Sequence, residues 1–85
     1  MSMRVLYFAW LRERLGKSSE VLTLPPDVET PRAMVGWLCT MGAPYQKAFA
    51  DLSLIRCAID QEFCSIDSKL TEATEVAFFP PVTGG

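Results

Sequence analysis

The last ten residues, Val76-Ala77-Phe78-Phe79-Pro80-Pro81-Val82-Thr83-Gly84-Gly85, constrain this chain most. Val76 to Phe79 is β-branched and aromatic, a composition that fits a pleated and at least half-buried strand. Pro80 and Pro81 donate no backbone hydrogen bond, so sheet pairing stops there. Their fixed φ then holds the following residues on an extended, polyproline-like path. Gly84 and Gly85 carry no Cβ and present no bulk to a narrow channel. A core strand, a stiff spacer and a slim tip in that order predict a folded domain over 1–81 and a flexible tail over 82–85 that threads into another protein's active site. Simple fraying of a small, polar end is the other reading. Fraying, however, requires no double proline directly behind a core strand.

Eighty-five residues, 49% of them apolar, fit one compact domain with one core. A domain of this size buries only about 60–65% of the surface its unfolded chain exposes, so modest stability and help from a partner are expected. Eight Lys/Arg against ten Asp/Glu give a net charge of −2. With no basic cluster to neutralise several phosphates at once, nucleic acid is not an expected partner. No apolar run approaches the ~20 residues that span a bilayer, and the N-terminus lacks the pattern of a signal peptide. A cytoplasmic protein without a membrane partner is therefore expected. Cys39, Cys57 and Cys64 are odd in number and show no Cys-x-x-Cys spacing, and histidine is absent, so no metal site is expected and the cysteines read as buried and reduced. Without histidine the usual general base for a Ser or Cys nucleophile is also missing, which argues against self-contained hydrolytic catalysis.

Hydrophobic periodicity orders the elements. Arg4-Val5-Leu6-Tyr7-Phe8 reads as a first strand with Val5 and Tyr7 inward and Leu6 and Phe8 outward. Leu11 to Gly16 is a short helical turn closed by glycine, and Glu20 to Leu24 is a second, antiparallel strand that Pro25-Pro26 ends. Thr30 as N-cap before Pro31 opens the main helix, and Gly42 is its expected stop. Met34, Trp37, Leu38 and Met41 form its apolar stripe, and Gly36 inside it reads either as a close-packing site or as a local weakness. Ala43 to Ala50 predicts a shorter helix. Leu54 to Asp60 is a third strand with Ile55, Cys57 and Ile59 inward. Asp60-Gln61-Glu62 turns into a short return strand at Phe63-Cys64-Ser65, and residues 67–74 form a polar turn anchored by Leu70.

One helix covering one face of a mixed sheet of about five strands is the β-grasp, ubiquitin-like arrangement, an α+β fold with its first and last strands side by side and parallel. On the uncovered face the outward Leu6 and Phe8 fall beside Ala77 and Phe79, joined by Ala58 and Phe63. An apolar patch of this kind at the root of the tail predicts a partner-binding surface.

Val5-Leu6-Tyr7-Phe8-Ala9 with Leu11-Arg12-Glu13, together with Glu75-Val76-Ala77-Phe78-Phe79-Pro80-Pro81-Val82-Thr83-Gly84-Gly85, closely resembles the small subunits of molybdopterin synthase, the ubiquitin-like sulfur carriers of molybdenum cofactor biosynthesis. The resemblance spans essentially the whole chain. It implies that an ATP-dependent, E1-like activating enzyme adenylates Gly85 and that a sulfur donor protein converts it to a thiocarboxylate. The tail then enters the large synthase subunit, and the sulfur passes to cyclic pyranopterin monophosphate to build the dithiolene of molybdopterin. The assembled synthase is implied to be a heterotetramer, and the carrier itself binds no cofactor. By position, Gly85 carries the sulfur and Gly84 gives it passage. Phe8, Phe63 and Phe79 match partner-facing positions, with Pro80, Pro81, Val82 and Thr83 forming the approach.

One place departs from the family pattern. Many relatives carry an acidic-Gly-acidic turn before the last strand, where this chain reads Thr71-Glu72-Ala73-Thr74-Glu75. A turn that needs positive φ is harder without the glycine. Two other functions stay open: a sulfur carrier for thiamine or transfer-RNA thiolation, which would share the fold and the Gly-Gly end but is expected to lack the Phe78-Phe79-Pro80-Pro81 approach, and a non-catalytic interaction module that uses the patch without chemistry at Gly85.

Overall fold

The computed structural model describes residues 2–81. Five strands, β1 (Ser2–Tyr7), β2 (Ser19–Thr23), β3 (Arg56–Ile59), β4 (Glu62–Cys64) and β5 (Glu75–Phe79), form one mixed sheet in the order β2-β1-β5-β3-β4. Helices α1 (Trp10–Leu15), α2 (Pro31–Cys39) and α3 (Ala43–Ala48) cover one face, and Leu52–Leu54 adds a turn of 3₁₀ helix before β3. The expected β-grasp architecture is therefore present, with β1 and β5 parallel and adjacent.

Alternation along the strands divides the sheet as the sequence predicts. Val5, Tyr7, Val76, Phe78 and Cys57 point into the core, where they meet Leu11, Leu15, Met34, Leu38, Tyr45 and Phe49 from the helical layer. Phe49 locks this junction, its ring edge-on to Phe78 at 5.3 Å and tilted against Tyr7 at 6.4 Å. Ile55 is buried as expected, while Leu22, Trp37 and Ile59 are only partly buried against the same core. Leu70 is buried under the polar turn it was expected to anchor.

The end of the main helix differs from expectation. The Thr30 side chain accepts from the Ala33 amide and Pro31 begins α2, as the capping pattern requires, but the helix stops at Cys39. Thr40 ends it by donating its hydroxyl to the Trp37 carbonyl at 2.6 Å. Gly42, with φ 149°, is instead the residue before α3, and Met41 is exposed. The buried face of α2 is accordingly Pro31, Met34, Val35 and Leu38. Gly36 is not a close-packing site: a Cβ built there meets no atom within 4 Å. Nothing in the structure explains that glycine. Gly16, by contrast, adopts φ 73° to close α1, a left-handed angle that glycine takes without strain.

Two further turns use positive φ without glycine. Asp60 (φ 48°) and Gln61 (φ 72°) form the two-residue β3–β4 hairpin, whose twist matches the strands it joins. In the 71–75 turn, Glu72 takes a left-handed φ of 61° and the next residue, Ala73, is buried. The geometry is met by a strained glutamate.

Candidate partner-binding surface

Strand register assembles the patch. Leu6 of β1 lies opposite Ala77 of β5, Ala77 opposite Ala58 of β3, and Ala58 opposite Phe63 of β4, so these four residues make one row across the uncovered face. The two middle strands contribute alanines and the flanking strands contribute Leu6 and Phe63. A trough with low floor and raised walls results. Phe8 follows the β1 wall, Phe79 rises from β5 against Phe63 at the end of the floor, and Gln61 and Glu75 supply the polar rim of a groove of about 490 Å³.

Exposure sorts these residues by role. Ala58 and Ala77 are buried as the floor, whereas Phe63 is 83% exposed and Phe8 47% exposed. Phe63 leans on Phe79 with ring centroids 5.5 Å apart at 58°. An aromatic ring held mostly in water on a rigid sheet is unfavourable for an isolated domain and useful at an interface. Pro80 and Pro81 follow Phe79 directly and are partly buried. Phe8, Phe63 and Phe79 thus line one groove, and Pro80 and Pro81 continue the chain from the end of β5. Val82, Thr83, Gly84 and Gly85, and with them the predicted tail, lie outside the described residues.

Asp60, at the hairpin, fixes where β5 begins. Its Oδ1 accepts from the Thr74 amide (3.0 Å), the Thr74 hydroxyl (3.1 Å) and the Glu75 amide (3.0 Å), while its own amide donates to the Glu75 carbonyl. The Thr74 amide bond is the main cause holding the Asp60 carboxyl below the usual carboxylate range. Sequence reasoning identified Asp60 only as a turn residue. Its second role joins positions fourteen and fifteen residues apart, which local patterns do not reveal.

A polar cluster at the edge of the helical layer was also not foreseen. The Glu20 carboxylate accepts from the Tyr7 and Tyr45 hydroxyls, each at 2.7 Å, and from Lys17 at 3.2 Å, tying β1, β2 and α3 together. Burial acts to raise the Glu20 pKa, but the bonds from Tyr45, Tyr7 and Lys17 together outweigh it and lower the net value. Burial, reinforced by Glu20, pushes the Tyr7 phenol far above its ordinary range. The cluster is satisfied internally and faces away from the groove, so it reads as an architectural tie.

Among the described residues no group of three metal-ligating side chains comes together, and no helix is long and apolar enough to cross a membrane. Cys57 is buried as expected, while Cys39 and Cys64 are only partly buried.

A five-stranded mixed sheet with helices on one face and an exposed apolar trough on the other is a ubiquitin-like, β-grasp arrangement. The chain belongs to the ThiS family, whose model matches residues 5–85. It is similar to the molybdopterin synthase sulfur carrier subunit of Escherichia coli (strain K12), at 36% identity over 98% of this chain and 99% of that protein. It is also similar to the subunit of that name from Mycosarcoma maydis, at 37% identity over 99% of this chain and 94% of that protein. Among solved structures, SAMP1 from Haloferax volcanii superposes with a TM-score of 0.72 at 25% identity, covering both chains completely. A putative molybdopterin converting factor subunit 1 from Pyrococcus furiosus shares the fold with a TM-score of 0.64 at 20% identity, over 96% of this chain and 99% of that one.

Proposed function

We propose that this chain is the sulfur carrier of a molybdopterin synthase, with Gly85 as the carrying residue. The observation that bears most on this reading is the trough of Leu6, Phe8, Ala58, Phe63, Ala77 and Phe79 at the root of the C-terminal segment. The relatives' names supply the pathway. The trough docks on the large subunit, the Pro80-Pro81 pair stiffens the exit from the sheet, and Val82 to Gly85 enter the partner's active site.

The chemistry asks little of the carrier's own side chains. A carboxylate is a poor electrophile. Attack of the Gly85 carboxylate on ATP, in an E1-like enzyme, releases pyrophosphate and leaves an acyl-adenylate whose AMP is a good leaving group. A persulfide on a donor protein attacks the acyl carbon and expels AMP, and a thiol then cleaves the resulting acyl disulfide, releasing the thiocarboxylate and leaving the donor sulfur in a disulfide. That anion is nucleophilic through sulfur, and docking makes its attack on cyclic pyranopterin monophosphate effectively unimolecular. The carrier therefore supplies position, in the cytoplasm and within a heterotetrameric synthase, while the acid–base groups belong to its partners.

Deleting Gly85 tests this directly. One extended residue spans about 3.3–3.6 Å, so the variant's carboxylate falls short by that distance. A displacement of ~1 Å can lower a rate ~100-fold, so sulfur transfer is expected to be lost while binding to the large subunit persists through the untouched trough. The assay combines activating enzyme, sulfur donor, large subunit and pterin precursor, and follows both thiocarboxylate and molybdopterin. Full activity without Gly85 would overturn the carrier reading and leave a non-catalytic interaction module.

A further inference from the structure

Cys57 of β3 and Cys64 of β4 are register partners in the antiparallel hairpin, with their sulfur atoms 3.5 Å apart. No step of sulfur transfer from Gly85 uses them. Directly opposed residues in an antiparallel ladder have Cα atoms about 4.5–5.5 Å apart, within the range of about 4.4–6.8 Å over which a disulfide can bridge without moving the backbone. Each thiol also points at the other residue's carbonyl, Cys57 Sγ at 3.6 Å and Cys64 Sγ at 3.8 Å. Both sulfurs therefore occupy the space between the two strands. Cys39, on α2, takes no part and contacts the Tyr45 carbonyl instead.

We infer that Cys57 and Cys64 are a dithiol modification site, oxidised by low-molecular-weight disulfides to an intrachain bridge that staples β4 to β3. The partly buried Cys64 reacts first. Its thiolate attacks one sulfur of the small disulfide, forms a mixed disulfide and releases one thiolate. Cys57 then gives up its proton, attacks Cys64 Sγ and expels the second thiolate. Two cysteine thiols are oxidised and one small disulfide is reduced to two thiols. Burial pushes the Cys57 thiol up to about 12, which makes it the less reactive of the two towards outside reagents; its attack in the second step is favoured by proximity, its sulfur lying 3.5 Å from Cys64 Sγ.

The location gives the bridge a consequence. β4 is a three-residue edge strand paired only with β3, and it carries Phe63, the most exposed wall of the trough. A covalent tie at Cys64, the next residue, holds that wall against opening of the edge.

The experiment exposes the purified full chain, with the Cys39→Ser, Cys64→Ser and Cys57→Ser variants, to glutathione disulfide, then alkylates remaining thiols and maps them by mass spectrometry. Wild type is expected to fall from three alkylatable thiols to one, with a peptide linking Cys57 to Cys64 and a mass lower by two hydrogens. Cys39→Ser is expected to form the same bridge. Cys57→Ser is expected to accumulate glutathione on Cys64, and Cys64→Ser to remain unlinked. Hydrogen exchange of the Phe63 and Cys64 amides is expected to slow on oxidation of wild type alone. Stable glutathione on Cys64 of the wild type, a bridge involving Cys39, or three thiols remaining after exposure would each overturn the assignment. Because the readout is thiol chemistry, it is independent of the state of Gly85.

Discussion

Truncating Phe63 to alanine probes the trough with the least disturbance to the fold. The ring is 83% exposed and contacts mainly Phe79, so its loss removes little from the core. A Phe side chain offers on the order of 200 Å² of surface, of which about 165 Å² is therefore still available to a partner. At ~25 cal/mol per Å² its complete burial on docking is worth at most about 4 kcal/mol. Central aromatic residues at interfaces commonly account for about 2–4 kcal/mol on truncation. Phe63→Ala is thus expected to weaken binding to the large subunit by about 30- to 1,000-fold, since each 1.4 kcal/mol is a factor of ten. Titration calorimetry gives the Kd, and thermal unfolding of the free variant checks that its stability lies within about 0.5 kcal/mol of wild type, as for other surface changes. Met41→Ala serves as the control, because Met41 is also exposed but belongs to the helical layer. A folded Phe63→Ala variant that binds within about twofold of wild type would refute the assignment of this surface, since the bound ring would then remain in water.

Three further outcomes follow from particular backbone and side-chain positions. Glu72→Gly relieves a left-handed φ of 61° and is expected to stabilise the domain by about 0.5–1 kcal/mol in chemical denaturation, a gain that would be absent if the turn were unstrained. Gly36→Ala places a methyl in open space on α2, and a gain of about 1 kcal/mol from helix propensity is expected in the same assay. The Glu20 carboxyl titrates lower in the folded protein than in the unfolded chain, so its contribution is present above the ordinary glutamate range and is lost as pH falls through and below it. Glu20→Gln is accordingly expected to flatten the dependence of Tm on pH between about 5 and 3, and an unchanged slope would remove Glu20 from that dependence.

The sheet was legible because its signal has period two. Arg4, Glu75 and Arg56 marked the wet side of three strands, and that alone placed Leu6, Phe8, Ala77 and Phe79 on one face. The end of α2 was not legible, because Met41 continues the helical spacing of Met34, Trp37 and Leu38 two residues beyond the last turn. Only the Thr40 side-chain bond to Trp37 and the φ of Gly42 reveal the break. The groups that tie the molecule together were hidden for another reason. Asp60 reaches Thr74, and Glu20 reaches Tyr7 and Tyr45, across 13 to 25 positions. Such pairs become visible only when topology brings the segments together.

The place of β5 in the sheet links synthesis to function. It is the last strand in the sequence yet lies in the middle of the sheet, between β1 and β3. A nascent chain that ends before residue 75 has no central strand on which β1 and β3 can close, and loop-closure entropy must be met before these long-range pairings form. Neither floor nor walls of the trough would then exist. A product terminated before residue 75 therefore lacks the trough as well as the glycines, and would be unable to occupy a partner as a dead-end competitor.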